Sequence, residues 1–261
     1  MKFMKWYFSP ALFAAAAIVL FAAWLAFEPA AIRAFFDQGG RSPFELATIP
    51  VFLAIIPAVW IARPFTGPKK RVALFCGAVS VVAAMAVVKE LDLHNAALHF
   101  LFPETVAADG HLAPGLFKPN GAPLSGTPFK MRVLTNPGVP LGMKCAIVFY
   151  FAAFFGVFAA LLAYFAKDFA AGVFRLDPVA WSVGCLGGAG VAVQIFDRLP
   201  AWWCHSQGIE KEACDERFLS LCTCFEEGLE MALAAFAIVA IFQGAAKKRR
   251  GSVQTGKAFH E

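Results

Sequence analysis

Six apolar runs, each close to the length that crosses a lipid bilayer, constrain this chain more than any other feature. They are Ala11–Phe27, Phe44–Ala62, Val72–Val88, Cys145–Phe165, Val179–Phe196 and Phe218–Gln243. A hydrocarbon core about 30 Å thick is crossed by roughly 20 apolar residues in a helix. Only 16% of the residues are charged and 59% are hydrophobic, against about 25% charged in a soluble domain, and the charges gather between the runs. The expectation is an all-α polytopic membrane protein with six transmembrane helices. Its spans lie at about 10–27, 43–62, 72–102, 144–166, 178–199 and 218–243, in a single domain 1–246 followed by a basic tail 247–261.

Charge sets the orientation. Lys2 and Lys5, the Arg63/Lys69/Lys70/Arg71 turn, Lys167 with Arg175, and Lys247-Lys248-Arg249-Arg250 all fall on one side. The acidic connection Ala201–Arg217 falls on the other. Basic residues favour the cytoplasmic side, so both termini are expected in the cytoplasm of a bacterial inner membrane. The net charge of +5 is then an orientation signal, and no nucleic-acid motif accompanies it. The first run also fits a cleaved signal peptide; the topology downstream is the same either way.

Local signals mark helix ends. Ser9-Pro10 reads as an N-cap with proline at the first helical position, and Ser42 with Glu45 has capping-box spacing. Asp177-Pro178 caps the fifth span. Pro50 and Pro57 should kink the second, and the Gly184/Gly188 pair predicts close packing of the fifth. Glu28–Arg41 reads as a short mixed-charge connection. The Pro/Gly-rich segment 103–143 is a long outer loop, which is usually functional or disordered.

Two acidic sets fall at one depth. From Val72 to Glu90 is 18 residue steps, and from Glu227 to Ala246 is 19. At 1.5 Å per residue each is about 27–28 Å from the cytoplasmic edge. Asp197 falls at the same level. If the third helix continues past Lys89, Glu90 and His94 share one face and Asp92, Asn95 and His99 nearly the opposite one. On the sixth helix Glu226 and Glu230 share a face, with Glu227 to the side. Glu90, His94, Glu226 and Glu230 are therefore the expected metal ligands or acid/base groups, for a divalent ion such as Zn²⁺, Mn²⁺ or iron. Asp92, Glu227 and Asp197 would support them from behind. Lys130 and Arg132, with Lys118 and Lys144, would contact an anionic group such as a lipid head group. An ion-pair network using Lys89, Arg132, Lys144, Arg198 and Arg217 explains the same acids without any ligand.

The other reactive side chains are less telling. His99 reads as an interfacial hydrogen-bonding residue, and His111, His205 and His260 have no partners at a diagnostic spacing. Cys76, Cys145 and Cys185 lie in spans as small apolar residues. Cys204 and Cys214 are the first choice for a disulfide on the oxidising side; a Cys204/His205/Cys214 metal site is the rival.

The segments Glu90-Leu91-Asp92-Leu93-His94, Phe129-Lys130-Met131-Arg132, Val139-Pro140-Leu141-Gly142-Met143-Lys144 and Glu226-Glu227-Gly228-Leu229-Glu230 resemble a loose group of uncharacterised bacterial inner-membrane proteins. Those carry an acidic-His motif, a Lys-x-Arg segment and a closing Glu-Glu-x-x-Glu helix. The resemblance spans residues 72–243 and implies that these positions form one site; it supplies no reaction. Phosphate-binding loops, dinucleotide fingerprints, GxSxG and HExxH are absent from the sequence. Three functional classes remain. The first is a metal-dependent or acid/base enzyme acting at the periplasmic face on a lipid or other envelope substrate. The second is a structural or accessory subunit that binds another envelope protein, and the third a transporter of ions or small solutes.

Overall fold

A computed structural model describes residues 5–37, 42–64, 67–117, 121, 123–124, 126–209 and 214–257, with side chains described up to residue 250. The chain is all-α. In order, the helices are α1 (Phe8–Ala26), α2 (Pro29–Phe36), α3 (Pro43–Ala62), α4 (Lys69–Glu90), α5 (Leu93–Leu101), α6 (Met131–Leu134), α7 (Leu141–Phe174), α8 (Pro178–Ser206) and α9 (Glu216–Lys257). Six of them, α1, α3, α4, α7, α8 and α9, are long and apolar enough to cross a membrane.

The helix α9 is the axis of the bundle. It packs against α1, α2, α3 and α8, and half of its apolar window is buried, against 6% for α7 at the periphery. Between them, Phe52, Ile55 and Val59 of α3, Cys76, Ala83 and Val87 of α4, and Ala234 and Ile241 of α9 form one core. A second core joins Leu20 of α1, Ile32 and Phe36 of α2, Val193 of α8, and Cys224 and Leu229 of α9. Gly228 is what lets α1 come this close. A Cβ there would fall 2.6 Å from Leu20 Cδ1 and nearer still to Cδ2.

Several local expectations change. The run 29–36 is helical rather than a bare connection, because Ile32 and Phe36 fall on one side and bury against the bundle. Ser42 and Glu45 do form the reciprocal capping box, and the Asp177 carboxylate accepts from the Val179 amide at 3.1 Å. Ser9, by contrast, is not a cap. The helix starts before it, and its hydroxyl is fully buried 2.5 Å from that of Ser182, which in turn donates to Gln243 Oε1 at 2.5 Å. This polar thread joins α1, α8 and α9, the kind of interhelical contact that holds helices together where no water competes. The fifth span packs closely on α9 as expected, but not through this glycine pair: Gly184 faces Phe169 of α7, 3.9 Å from its Cβ position. A Cβ at Gly188 would meet nothing within 4 Å, and the glycine of α8 that touches α9 is Gly190, at 3.7 Å from Leu233. At the chain's end α9 continues through the basic residues to Lys257, so the start of the tail is helical.

The described residues of the long segment between α5 and α7 are folded. Two isolated antiparallel bridges, Val106 with Leu112 and Phe117 with Pro123, tie it into tight turns. Val106, Leu112, Leu124 and Val133 bury with Leu98 of α5 and with Met143 and Ile147 of α7. The loop thus has its own apolar core and sits as a cap on α5 and α7.

Candidate functional site

The site begins where α4 stops. After Glu90 the chain turns through Leu91 into Asp92, whose φ of 53° is left-handed, and α5 starts at Leu93. Glu90, the last residue of α4, faces α9. Glu90, Glu227 and Glu230 each place a carboxylate oxygen within 4.8 Å of the others, and Glu90 and Glu230 are both buried. The two helices have few direct contacts here, since α3 lies between them lower down; the carboxylates bridge the gap.

Lys89 is the cation within this group. Its Nζ donates to both oxygens of Glu230, at 2.5 and 2.6 Å, and lies 3.3 Å from Glu90 Oε1. Its side chain is 51% exposed while that of Glu230 is 11% exposed. Three carboxylates against one ammonium leave the group short of positive charge, which is costly at the edge of a membrane span unless hydrated or paired with a cation.

The sequence assigned Glu226 to this group and Glu227 to its surroundings; the structure exchanges them. At 100° per residue Glu230 stands 40° from Glu226 and 60° from Glu227, so periodicity hardly separates the two. The neighbours do. Glu227 places its carboxylate within the Glu90/Glu230 group, whereas Glu226 lies within electrostatic reach of Asp197 of α8 first, and then of Glu230, Lys89 and Asp37. Asp197 is thus beside Glu226 and away from the Glu90 carboxylate.

His94 is also elsewhere. The helical phase that put it with Glu90 assumed an unbroken helix, and the Asp92 turn resets that phase. Its ring stacks on Tyr150 at 5.7 Å and meets the edge of Phe129 at 4.7 Å. Nδ1 lies 3.4 Å from the Val88 carbonyl oxygen and Nε2 3.7 Å from Asp92 Oδ1. Burial holds the imidazole below its ordinary pKa, offset in part by the Val88 carbonyl and Asp92. It is a packing residue linking α5 and α7.

Above the carboxylates lies a pocket of ≈ 280 Å³. Glu90, Glu227 and Lys89 line its floor, Asp92 and Asn95 one wall, and Asp109, Gly110 and His111 come from the cap. Gly110 must be small here, with φ of +78° and a Cβ position 3.1 Å from Asn95 Cβ. Glu45 also reaches the pocket, while its Oε2 accepts from the Ser42 amide at 2.8 Å. Sequence reading found no role for Asp109–His111 because no spacing links them to the spans; only the folded cap brings them over. Thr127 lines the same pocket, and Lys130 Nζ and Arg132 Nη2 converge on the neighbouring Gly126, 3.2 and 3.1 Å from its Cβ position. Both cations therefore stand near the rim. Lys118 and His260 lie outside the described residues.

The remaining predicted residues fall into place simply. His99 Nδ1 is 2.7 Å from the Val106 carbonyl oxygen, fastening the cap to α5. Arg217 does not reach these acids: it donates to the Phe27 carbonyl at 2.9 Å and lies over the Trp24 ring. Cys204 and Cys214 are joined by a disulfide at the C-terminal end of α8. The donor set of the cluster is all oxygen plus one amine. It suits a hard cation such as Mg²⁺, Mn²⁺ or Ca²⁺, and with no imidazole among the three it suits Zn²⁺ less. No protein family, curated protein or solved structure matches the chain. The site therefore stands on its own geometry: a six-span helical membrane architecture with a carboxylate cluster where the end of α4 meets the first third of α9.

Proposed function

We propose that this is a multi-pass protein of a bacterial inner membrane, with both termini in the cytoplasm, that binds a divalent cation at Glu90, Glu227 and Glu230. On this reading the bound ion and the rim cations Lys130 and Arg132 act together on an anionic envelope substrate such as a lipid head group. The observation that carries it is the meeting of three carboxylates from two helices within 4.8 Å beneath a folded cap. Three such groups supply part of the six to eight oxygens a hard cation takes, leaving positions for water or a substrate oxygen. A metal so placed would polarise that oxygen, and Lys89, released from Glu230, would be available to donate or accept a proton. Titration calorimetry of the purified protein with Mn²⁺, Mg²⁺ and Ca²⁺ tests this. One-site binding that disappears in Glu90→Gln and Glu230→Gln supports the reading, and absence of binding by all three ions ends it.

One observation favours a second reading. Lys89 already grips Glu230 through both oxygens, so the cluster can serve as an ion-pair lock that fixes α4 on α9 in a structural or accessory subunit. The lock requires the ammonium and no metal, and the same titration would then show nothing.

A further inference from the structure

The short helix α5 is amphipathic in a way that its position does not use within the bundle. Leu93, Ala96, Ala97, Phe100 and Leu101 are all exposed, spaced i, i+3, i+4, i+7 and i+8, which is one continuous helical face. Phe100 is 84% exposed. The opposite face carries Asn95 and Leu98, at 5% and 4% exposure, packed under the cap. A soluble helix would be turned the other way, with its apolar stripe inward.

The helix is also strung between two candidate spans. It starts three residues after the last residue of α4, and its C-cap Phe102 rests on Gly142 at the start of α7, 3.4 Å from that glycine's Cβ position. From there the exposed apolar surface continues down α7 through Val148 and Phe149. A face of this kind at the end of a spanning helix matches the surface by which interfacial helices lie in the boundary between head groups and acyl chains.

We infer that α5 is an interfacial helix whose Leu93/Ala96/Ala97/Phe100/Leu101 face is immersed in the lipid leaflet at the capped end of the bundle. The other side of the same helix forms the pocket wall through Asn95, whose Oδ1 is buried without a hydrogen-bond partner among the described residues. The pocket then stands at head-group depth, beside lipid rather than out in bulk water. The inference rests on α5 and not on the cation, so failure of metal binding leaves it intact.

The test places the photoreactive residue p-benzoylphenylalanine at Phe100, at Ala97 or at Asp109 in the full chain, reconstituted in nanodiscs of phosphatidylethanolamine and phosphatidylglycerol. Phe149 serves as the embedded control, and lipid adducts are read by intact mass. The expected result is adduct yield at 97 and 100 within about twofold of that at 149, and at least roughly tenfold less at 109. Yields at 97 and 100 as low as at 109, or protein–protein crosslinks in place of lipid adducts, overturn it. Helical circular dichroism and nanodisc elution matching those of the Phe149 variant show that each variant has folded into the bilayer.

Discussion

Replacing Lys89 by methionine keeps an unbranched side chain one atom shorter and removes the ammonium that binds Glu230 and Glu90. At 2.5 Å and an effective dielectric of about 20, the attraction to Glu230 is about 6–7 kcal/mol. Mutual repulsion of ionised carboxylates within 4.8 Å of one another is at least about 3–4 kcal/mol per pair on the same scale. Neither figure is a net stability. Lys89 is half-exposed, water screens it, and the native pair already bears a desolvation cost. Breaking a fully buried pair costs about 3–5 kcal/mol, so the discounted expectation for Lys89→Met is a loss of about 2–3 kcal/mol. For a chain of this size that lowers Tm by roughly 4–12 °C. The assay is thermal unfolding of purified protein in detergent, first with EDTA and then with Mn²⁺. A cation site predicts that Mn²⁺ restores most of the loss, because the ion replaces the missing charge. The ion-pair lock predicts the same loss with no recovery. A Tm unchanged within about 1 °C in EDTA would refute the electrostatic reasoning itself.

Three more outcomes follow from particular contacts. The imidazole of His94 is held below its ordinary value near 6.5, so the unfolded chain binds the proton more readily. Its contribution to stability is full above that value and lost as pH falls through the folded pKa. Acidification should lower Tm less in His94→Gln than in the parent, since Asp92 and Lys89 face position 94 in both. Gly228→Ala should cost about 1–3 kcal/mol by overpacking, since its Cβ would meet the buried side chain of Leu20; equal Tm values would mean that α1 does not pack there. Reducing the Cys204–Cys214 bridge, which closes a separation of 10 residues, should cost about 2–3 kcal/mol by the chain-entropy relation, read as a drop in Tm with reductant that is absent in the Cys204→Ser/Cys214→Ser double variant.

The spans were legible because membrane solvent imposes a simple rule: about 20 apolar residues per crossing, with charge left between them. The capping signals at Ser42 and Asp177 were legible for a similar reason, being local and stereochemical. Ser9 was misread because the same hydroxyl that caps a helix can also join one helix to another, and only the neighbours Ser182 and Gln243 decide which. At the site, depth was readable from helical rise, and Glu90 and Glu230 do come together. Azimuth was not readable. Glu226 and Glu227 flank Glu230 at about 40° on one side and about 60° on the other, so the choice between them depends on which side the neighbouring helix sits. The left-handed turn at Asp92 removed His94 from the set, and nothing in a Leu-Asp-Leu sequence announces it. The cap's contribution from Asp109 to His111 depends on long-range packing of Val106, Leu112 and Leu124, which no local pattern encodes.

The most direct test of the cluster is Mn²⁺ binding followed by electron paramagnetic resonance in Glu227→Gln and Glu226→Gln, side by side with the parent protein. The account predicts one bound Mn²⁺ in the parent and in Glu226→Gln, and at least roughly tenfold weaker binding in Glu227→Gln. Equal binding in Glu227→Gln and the parent, or loss in Glu226→Gln alone, would contradict it.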